Sequence, residues 1–411
     1  MSRSGWWCFG VTAVAWVAVE AWRYLKNDED IRDSDQGAQA ALVGRTPLVR
    51  LRSLEALCGY EVEIVAKAEM LNPGGSGKDR LALALVEQAM AKKDCTKVLV
   101  EGSSGSTVIA LAPLARAAGF EVLAIVPDDV SHEKVQELEA LGAKVEKVRA
   151  ASIASPDHYV NAAKRRASKD TFFFCDQFEN SANFRVHERT TGPEIASQCG
   201  NRVDAFVAAA GTGGTIAGVS RFFTKKTRIV LADVPGSSLF GKVAFGVCYT
   251  AQQSERTLRR HRYDTICDGV GLDRITNNFS KARIHTAISL SDQDALIMAH
   301  YLFRFEGLFL GASSAINCLA ALAVARAFLK KQDKKKTTHF FSFLPWNKHK
   351  NTKRKRVVTV LCDSGTRYLS RFWNKTFIES RGLQWPPNDP QALQDALLHI
   401  LQDSNVQHLT V

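Results

Sequence analysis

The chain has 411 residues, 45% of them hydrophobic and 23% charged, a size that suits two or three domains and a composition that excludes a disordered, collagenous or coiled-coil chain as the main state. Its nine cysteines, at 8, 58, 95, 175, 199, 248, 267, 318 and 362, include no CxxC pair, which speaks against a disulfide framework or a zinc site and for a reducing compartment. The net charge of +12 sits largely in one segment, because Lys330–Arg356 holds eleven Lys/Arg against one Asp, so it says little about the rest of the molecule.

The first element is apolar. Gly5–Val19 (GWWCFGVTAVAWVAV) has no charge, and Glu20, Arg23 and Lys26 follow. A spanning helix needs about 20 mostly apolar residues. This run reaches that length if Glu20 lies near the interface, with Trp6, Trp7, Trp16 and Trp22 as interfacial anchors. The reading adopted is a membrane anchor over residues 1–26, crossing through residues 5–24. A cleaved signal peptide and an amphipathic surface helix compete with it, and the cysteine usage opposes the first. Residues 27–40 (NDEDIRDSDQGAQA) read as an acidic linker, so the body starts at Ala41.

Strands and helices then alternate. Strand-like runs are Val98–Val100, Val122–Pro127, Phe172–Phe174, Ala205–Ala208, Ile229–Leu231 and Val357–Leu361. Helix-like runs include Leu81–Lys92, Val108–Ala118, Glu133–Leu141, Ile216–Phe223 and Ser313–Leu329. Such alternation predicts an α/β fold, a parallel sheet covered by helices.

Four motifs carry chemistry. Asn72–Arg80 (NPGGSGKDR) delivers Lys78 to a helix start. A phosphate loop would need Gly at 72 and Ser or Thr at 79, where Asn and Asp stand. A lysine so placed is either an amine nucleophile toward an aldehyde or a surface residue. Glu101–Thr107 (EGSSGST) joins a strand to a helix and can hold a carboxylate, or Ser106 or Thr107 can simply cap that helix. Gly211–Thr215 (GTGGT) also follows a strand. It reads as a cradle for one phosphate or as a ligand-free turn; Ile216 stands where a dinucleotide fingerprint needs Gly. Cys362–Tyr368 (CDSGTRY) ends the last strand. Ligands of open parallel sheets bind beyond such strand ends.

Lys334–Arg356 (KKKTTHFFSFLPWNKHKNTKRKR) looks inserted into a surface loop, either simply solvated or touching anionic headgroups or nucleic acid. The tail over 381–411 holds Pro386, Pro387 and Pro390 and a short helix-like run, Gln391–Gln402.

Taken in order, Ala41–Leu51 (ALVGRTPLVRL), NPGGSGKDR, SSGST, Gln177–Asn183 (QFENSAN), Thr190–Ile195 (TTGPEI), Gly211–Gly218 (GTGGTIAG), Glu306–Ala315 (EGLFLGASSA) and Asp363–Ser370 (DSGTRYLS) resemble the cysteine synthase family. These are fold type II pyridoxal-phosphate enzymes. The likeness spans about residues 41–376. Tyr263–Phe279 and the apolar N-terminus resemble a fungal, membrane-associated subgroup.

The resemblance implies two three-layer α/β domains in a body over 41–380, the smaller roughly 80–185, with pyridoxal 5'-phosphate in the cleft between them and the basic insertion at 334–356. It implies a homodimer, no metal and no nucleic-acid partner. Lys78 would bond the cofactor aldehyde, with Ser106 beside the cofactor. Gly211, Thr212, Gly213, Gly214 and Thr215 would hold its phosphate, and Ser364 its ring nitrogen. Ser103, Ser104, Gly105 and Thr107, helped by Gln177, would grip the substrate carboxylate, with Gly269 on a bordering loop. A hydroxyl at the ring nitrogen, unlike a carboxylate, does not force its protonation and so favours β-elimination.

The implied reaction is β-replacement, O-acetylserine plus sulfide giving cysteine plus acetate. The alternatives are cystathionine synthesis, serine or threonine dehydration, cysteine desulfhydration, or a catalytically silent membrane-tethered homologue. Ser106 replaces the family's Asn, Val108 its Gly, and Ser181 the Pro of an Asn-Pro pair; the first bears on substrate identity. The subgroup implies the mitochondrial outer membrane, with the catalytic body facing the cytosol.

Overall fold

The computed structural model describes residues 37–92, 97–103, 105–169, 172–248, 265–338 and 354–402. The expected anchor over 1–26, most of the linker, and residues 339–353 of the basic insertion lie outside them.

Two sheets organise the chain. The larger has the order β1-β2-β10-β7-β8-β9: Leu48–Arg50, Val62–Ala68, Lys355–Leu361, Ala205–Ala209, Arg228–Asp233 and Thr286–Ser289. Only β1 runs antiparallel to its neighbour. The smaller is fully parallel, in the order β5-β4-β3-β6: Lys144–Val148, Glu121–Pro127, Val98–Gly102 and Phe173–Phe174.

Both sheets are buried on both faces, as parallel sheets require. Along β10, Val357 and Leu361 pack with the helix Ala312–Thr338, while Val358 and Val360 join the opposite core with Ile216 and Val219. In the smaller sheet, Leu99, Ala124 and Val126 meet the helices Lys78–Ala91 and Ser106–Ala117. Val100 and Ile125 face Ala163 and Ala167 of the helix Tyr159–Lys169. Val108, the family's glycine, is fully buried in that first core, so its side chain fills space rather than blocking a site.

The helix from Ala312 is apolar and long enough over Ala312–Lys330 to cross a membrane by composition, yet it is mostly buried; it is the central core helix. Its extent corrects the expected loop over 334–356. The helix continues to Thr338, and β10 already begins at Lys355. Arg354 and Arg356 pair with Glu63 at 3.2 and 2.6 Å, and Lys355 with Asp204 at 2.7 Å. These three cations fasten β10 into the sheet from its first residue, opposite Val62.

Behind Lys78 lies a dry cluster of four charges. Arg80, 1% exposed, binds Glu69 through Nε and Nη2 (both 2.8 Å) and Glu194 through Nη1 and Nη2 (2.7 and 2.8 Å). Lys67 reaches Glu194 at 2.6 Å, and the Thr46 hydroxyl donates to Glu69 at 2.7 Å. Burial alone would raise the Glu194 carboxyl, but Arg80 and Lys67 hold it at about 2. Its contribution is therefore present above the unfolded value of about 4.3 and lost as pH falls toward 2. Breaking a buried pair from one side costs about 3–5 kcal/mol. Arg80→Met is expected to lower stability in urea by that amount at pH 7; a loss under about 1 kcal/mol would mean the cluster is not the brace the geometry describes.

Candidate active site

In a parallel sheet the carboxyl ends of strands and the starts of the following helices share one edge. β3 ends at Gly102, β7 at Ala209 and β10 at Leu361. The residues beyond them, with the start of the Lys78–Ala91 helix, line a cavity of about 320 Å³. Lys78, Ser103, Ser106, Thr107, Gln177, Gly211, Thr212, Gly213, Gly214, Thr215 and Gly269 all face it. Gly105 does not; with φ 142 it turns the chain into the Ser106–Ala117 helix. Ser104 lies outside the described residues.

The Gly211–Thr215 turn is built for close approach. Gly213 has φ 85. A Cβ on Gly211 would lie 2.2 Å from the Gly269 carbonyl oxygen, and one on Gly214 1.8 Å from Asn183 Oδ1. Asn183 Nδ2 donates to Thr212 Oγ1 at 2.9 Å, and Thr276 Oγ1 to the Thr212 carbonyl at 2.8 Å. No side chain caps the Gly214–Phe222 helix or the Ser106 helix, whereas Ser76 Oγ accepts from Lys78 N at 3.3 Å. By contrast, Ser291 and Asp294 form a capping box on Asp292–Glu306, and Asp389 caps Pro390–Ile400. Uncapped starts offer free N–H groups and a positive dipole end, so they suit anions. The Gly214 and Ser106 helix starts are thus each suited to an anion, and both line the cavity that Lys78 lines.

Lys78 is placed by its neighbours. Asp79, buried, accepts from the backbone N–H of Gly74 at 2.5 Å and of Ser76 at 3.3 Å, which curls the glycine loop. Ser76 bridges Asp363 at the end of β10. Two residues past Lys78, Arg80 anchors the helix in the charge cluster.

Gln177 departs from its expected use. Its Oε1 accepts from Thr107 Oγ1 at 2.6 Å, and its Nε2 donates to Glu101 Oε1 at 2.9 Å and to the Gly102 carbonyl at 3.1 Å. Both amide hydrogens point into the protein, so Gln177 props Thr107 instead of presenting a free donor. Burial pushes the Glu101 carboxyl up to about 8, so it is neutral at pH 7.

Ser364 does not line the cavity. Its hydroxyl accepts from Thr366 N at 3.3 Å and from Thr366 Oγ1 at 3.1 Å. It accepts at the start of the 3₁₀ turn Gly365–Tyr368, which it caps. The cavity-facing residues at this end are Cys362, Asp363 and, from the core helix, Ser313, whose hydroxyl bonds the Cys362 thiol. Ser313 stands in the GASSA run at a helix start, the same hydroxyl-at-helix-start signal that marks Ser106 and Thr107. Asn317 was also missed. It accepts from Ala209 N at 2.6 Å and donates to the Val360 carbonyl at 2.8 Å, tying β7 to β10. At the mouth, Lys134 pairs with Asp268 at 2.8 Å.

The family model described as pyridoxal-phosphate dependent enzyme matches residues 40–339. Cysteine synthase 2 of Neurospora crassa is 43% identical over 86% of this chain and 76% of its own. A Saccharomyces cerevisiae protein, provisionally named a mitochondrial cysteine synthase, is 41% identical over 90% of this chain and 92% of its own. The solved O-acetylserine-dependent cystathionine beta-synthase of Helicobacter pylori superposes with a TM-score of 0.65 at 27% identity, covering 81% of this chain and 97% of that one. The chain belongs to the pyridoxal-phosphate-dependent enzymes, in their cysteine synthase branch.

The raised Glu101 carboxyl has a stability consequence. Its contribution is full below about pH 4.3, the unfolded value, and is lost as pH rises through about 8. Glu101→Gln, which copies the neutral form in both the folded and the unfolded chain, is expected to be more stable than the parent at pH 7 and to lose less stability between pH 7 and 9. Parallel denaturation curves across that range would show that Glu101 is already ionised at neutrality.

Proposed function

We propose that this chain makes cysteine from O-acetylserine and sulfide, with Lys78 bonding pyridoxal 5'-phosphate and Gly211–Thr215 holding its phosphate. One observation carries the reading: a lysine and two uncapped helix starts converge on a single cavity. One amine and two anion sites match a phosphorylated aldehyde and an amino-acid carboxylate. When bound, the cofactor supplies the electron sink for chemistry at Cα and Cβ.

The other steps belong to the chain's own groups. Ser103 and Thr107, at the Ser106 helix start, hold and orient the substrate carboxylate, with Ser106 beside the cofactor. Lys78 Nζ takes the proton from the substrate Cα and later returns one. Acetate leaves from Cβ and sulfide adds there, which is the two-stage pattern of covalent catalysis. Ser313, not Ser364, offers the hydroxyl facing the ring; being neutral, it leaves the ring nitrogen unprotonated and favours elimination over transamination. The relatives named cysteine synthase support this reading, as do two structural neighbours whose names refer to O-acetylserine and O-ureido-L-serine, both β-substituted serines. The Helicobacter pylori name makes the sulfur donor the point to test.

The proposal extends to organisation. A smaller domain over roughly 80–185 closes on a larger one in a body spanning 41–380, and the body forms a homodimer. Residues 5–24 anchor it in the mitochondrial outer membrane with the body in the cytosol. The uncharged run and the name of the yeast relative support the membrane and the organelle. None of the seven described cysteines is in a disulfide, which supports a reducing compartment.

Two experiments test this. The visible band of the cofactor-loaded protein should shift on adding O-acetylserine and return on adding sulfide, with cysteine released. A band that ignores O-acetylserine but responds to serine would move the function to another β-reaction. Lys78→Ala should lower turnover by a factor of about 10²–10⁴ or more, and normal turnover would remove Lys78 from the mechanism. Separately, deleting residues 1–26 should release the protein from the membrane fraction; unchanged fractionation would refute the anchor.

A further inference from the structure

The helix His132–Ala140 follows β4 and carries Lys134 to the cavity mouth. The side chain is only 11% exposed. Its stem lies against the turn that opens the Ser106 helix: a Cβ on Gly105 would stand 3.3 Å from Lys134 Cδ. Its ammonium meets Asp268 Oδ2 at 2.8 Å and sits 5.2 Å from the centre of the Tyr368 ring. That is one hydrogen bond for three N–H donors, and no second one forms among the described residues. Asp268 is itself shared, since Arg371 Nη1 lies 3.8 Å from its Oδ1. Two cations around one carboxylate leave the mouth with an excess of positive charge.

Among the described residues, five charged side chains line the cavity: Glu69, Lys78, Lys134, Asp268 and Asp363. Four are engaged. Glu69 is held by Arg80, and Asp268 lies between Lys134 and Arg371. Burial raises the Asp363 carboxyl, whose Oδ2 accepts from Tyr368. Lys78 is committed to the cofactor. Lys134 remains, a cation with spare donors beside the proposed carboxylate turn. O-acetylserine has no call on it, because that molecule carries no net charge and its carboxylate is served by the Ser106 helix start. The second reactant does. Sulfide near neutrality exists in large part as the hydrosulfide anion, and a fixed cation at the mouth of a cleft concentrates anions there.

We propose that Lys134 forms the entry site for the sulfur nucleophile: its ammonium, held over Tyr368 by Asp268, draws the hydrosulfide anion into the cavity. This rests on the β-replacement reading. In that step the S–Cβ bond forms while sulfur keeps its own hydrogen. Lys78 Nζ returns to Cα the proton it took before acetate left as the anion. Lys134 exchanges no proton and forms no covalent bond; its contribution is charge. A positive mouth favours an anionic sulfur donor over a neutral thiol of similar size.

The test uses the full chain loaded with pyridoxal 5'-phosphate and reads the two halves of the reaction separately in the visible band. Lys134→Met should lower the second-order rate of the return on adding sulfide by about tenfold or more at low salt. The shift on adding O-acetylserine should be unchanged. Lys134→Arg, which keeps the charge, should recover most of the loss. In the parent the sulfide rate should fall as salt screens the mouth, and in Lys134→Met that dependence should flatten. Equal losses in both halves of Lys134→Met would mean a packing role and overturn the proposal, as would a sulfide rate that Lys134→Met leaves intact. Should Lys134→Met fail to fold, the parent decides: a sulfide rate insensitive to salt overturns the proposal, and a rate that falls with salt supports it. A parent band that ignores O-acetylserine would overturn the β-replacement reading itself, and the role of Lys134 with it.

Discussion

A guanidinium taken out of water must be matched group for group, and Arg80 is matched by two carboxylates from distant parts of the chain, Glu69 and Glu194. That requirement fixes more than a helix. Glu69 follows β2, Glu194 lies on the helix Gly192–Gln198, and Lys78 is two residues away on the helix that Arg80 shares. Any displacement of Lys78 along its helix axis would pull Arg80 out of a pocket where all its bonds are 2.7–3.4 Å. The Lys78 amine is thus placed by a charge cluster that meets the cavity only at Glu69.

The cavity itself is suited to anions by a different means. Its cradles are built from N–H groups, hydroxyls and helix dipoles at the starts of the Ser106 and Gly214 helices. Fixed dipoles of this kind are already oriented when the ligand arrives and need no counterion to be displaced. Arg80 stays one layer back, and burial raises the carboxyl of Glu101 to about 8, so it is neutral at pH 7. The consequence is a pair of cradles whose positive potential comes from backbone geometry, so the glycines that permit that geometry cannot be exchanged: Gly211 and Gly214 have a carbonyl oxygen and an amide where a Cβ would stand.

Much of this could be read in the chain before any coordinates. The strands at 98, 122, 205, 229 and 357 lie within a few residues of their expected bounds, and three of the four motifs stand at strand ends. Those features are local, set by apolar runs and glycine turns. β2 escaped notice because Glu63 and Lys67 interrupt its apolar run, and only the structure shows Lys67 buried against Glu194. Ser364 failed for a related reason. Along an extended segment neighbouring side chains alternate in direction, and which of Cys362, Asp363 and Ser364 faces inward depends on where β10 stops and the 3₁₀ turn begins. Glu101 and Arg80 take their roles from partners 76 and 114 residues away. No pattern in a single sequence marks such pairings.

The exchange of Ser364 for Ser313 alters more than a label. Ser313 sits at the start of the core helix, beside Cys362 and one layer from Asp363, so three groups of different acidity crowd the end of the cavity nearest β10. Burial raises the Asp363 carboxyl, and the Tyr368 hydroxyl donates to its Oδ2 at 2.6 Å. That tyrosine occupies one carboxylate oxygen from behind. If Asp363 reached a ring nitrogen in place of Ser313, the nitrogen would be protonated and the bound electron sink strengthened, which opens transamination. The Tyr368 bond fixes the Asp363 carboxyl, which follows β10, through one of its two oxygens, so the position of this cavity-lining acid is set from the 3₁₀ turn and not by the sheet.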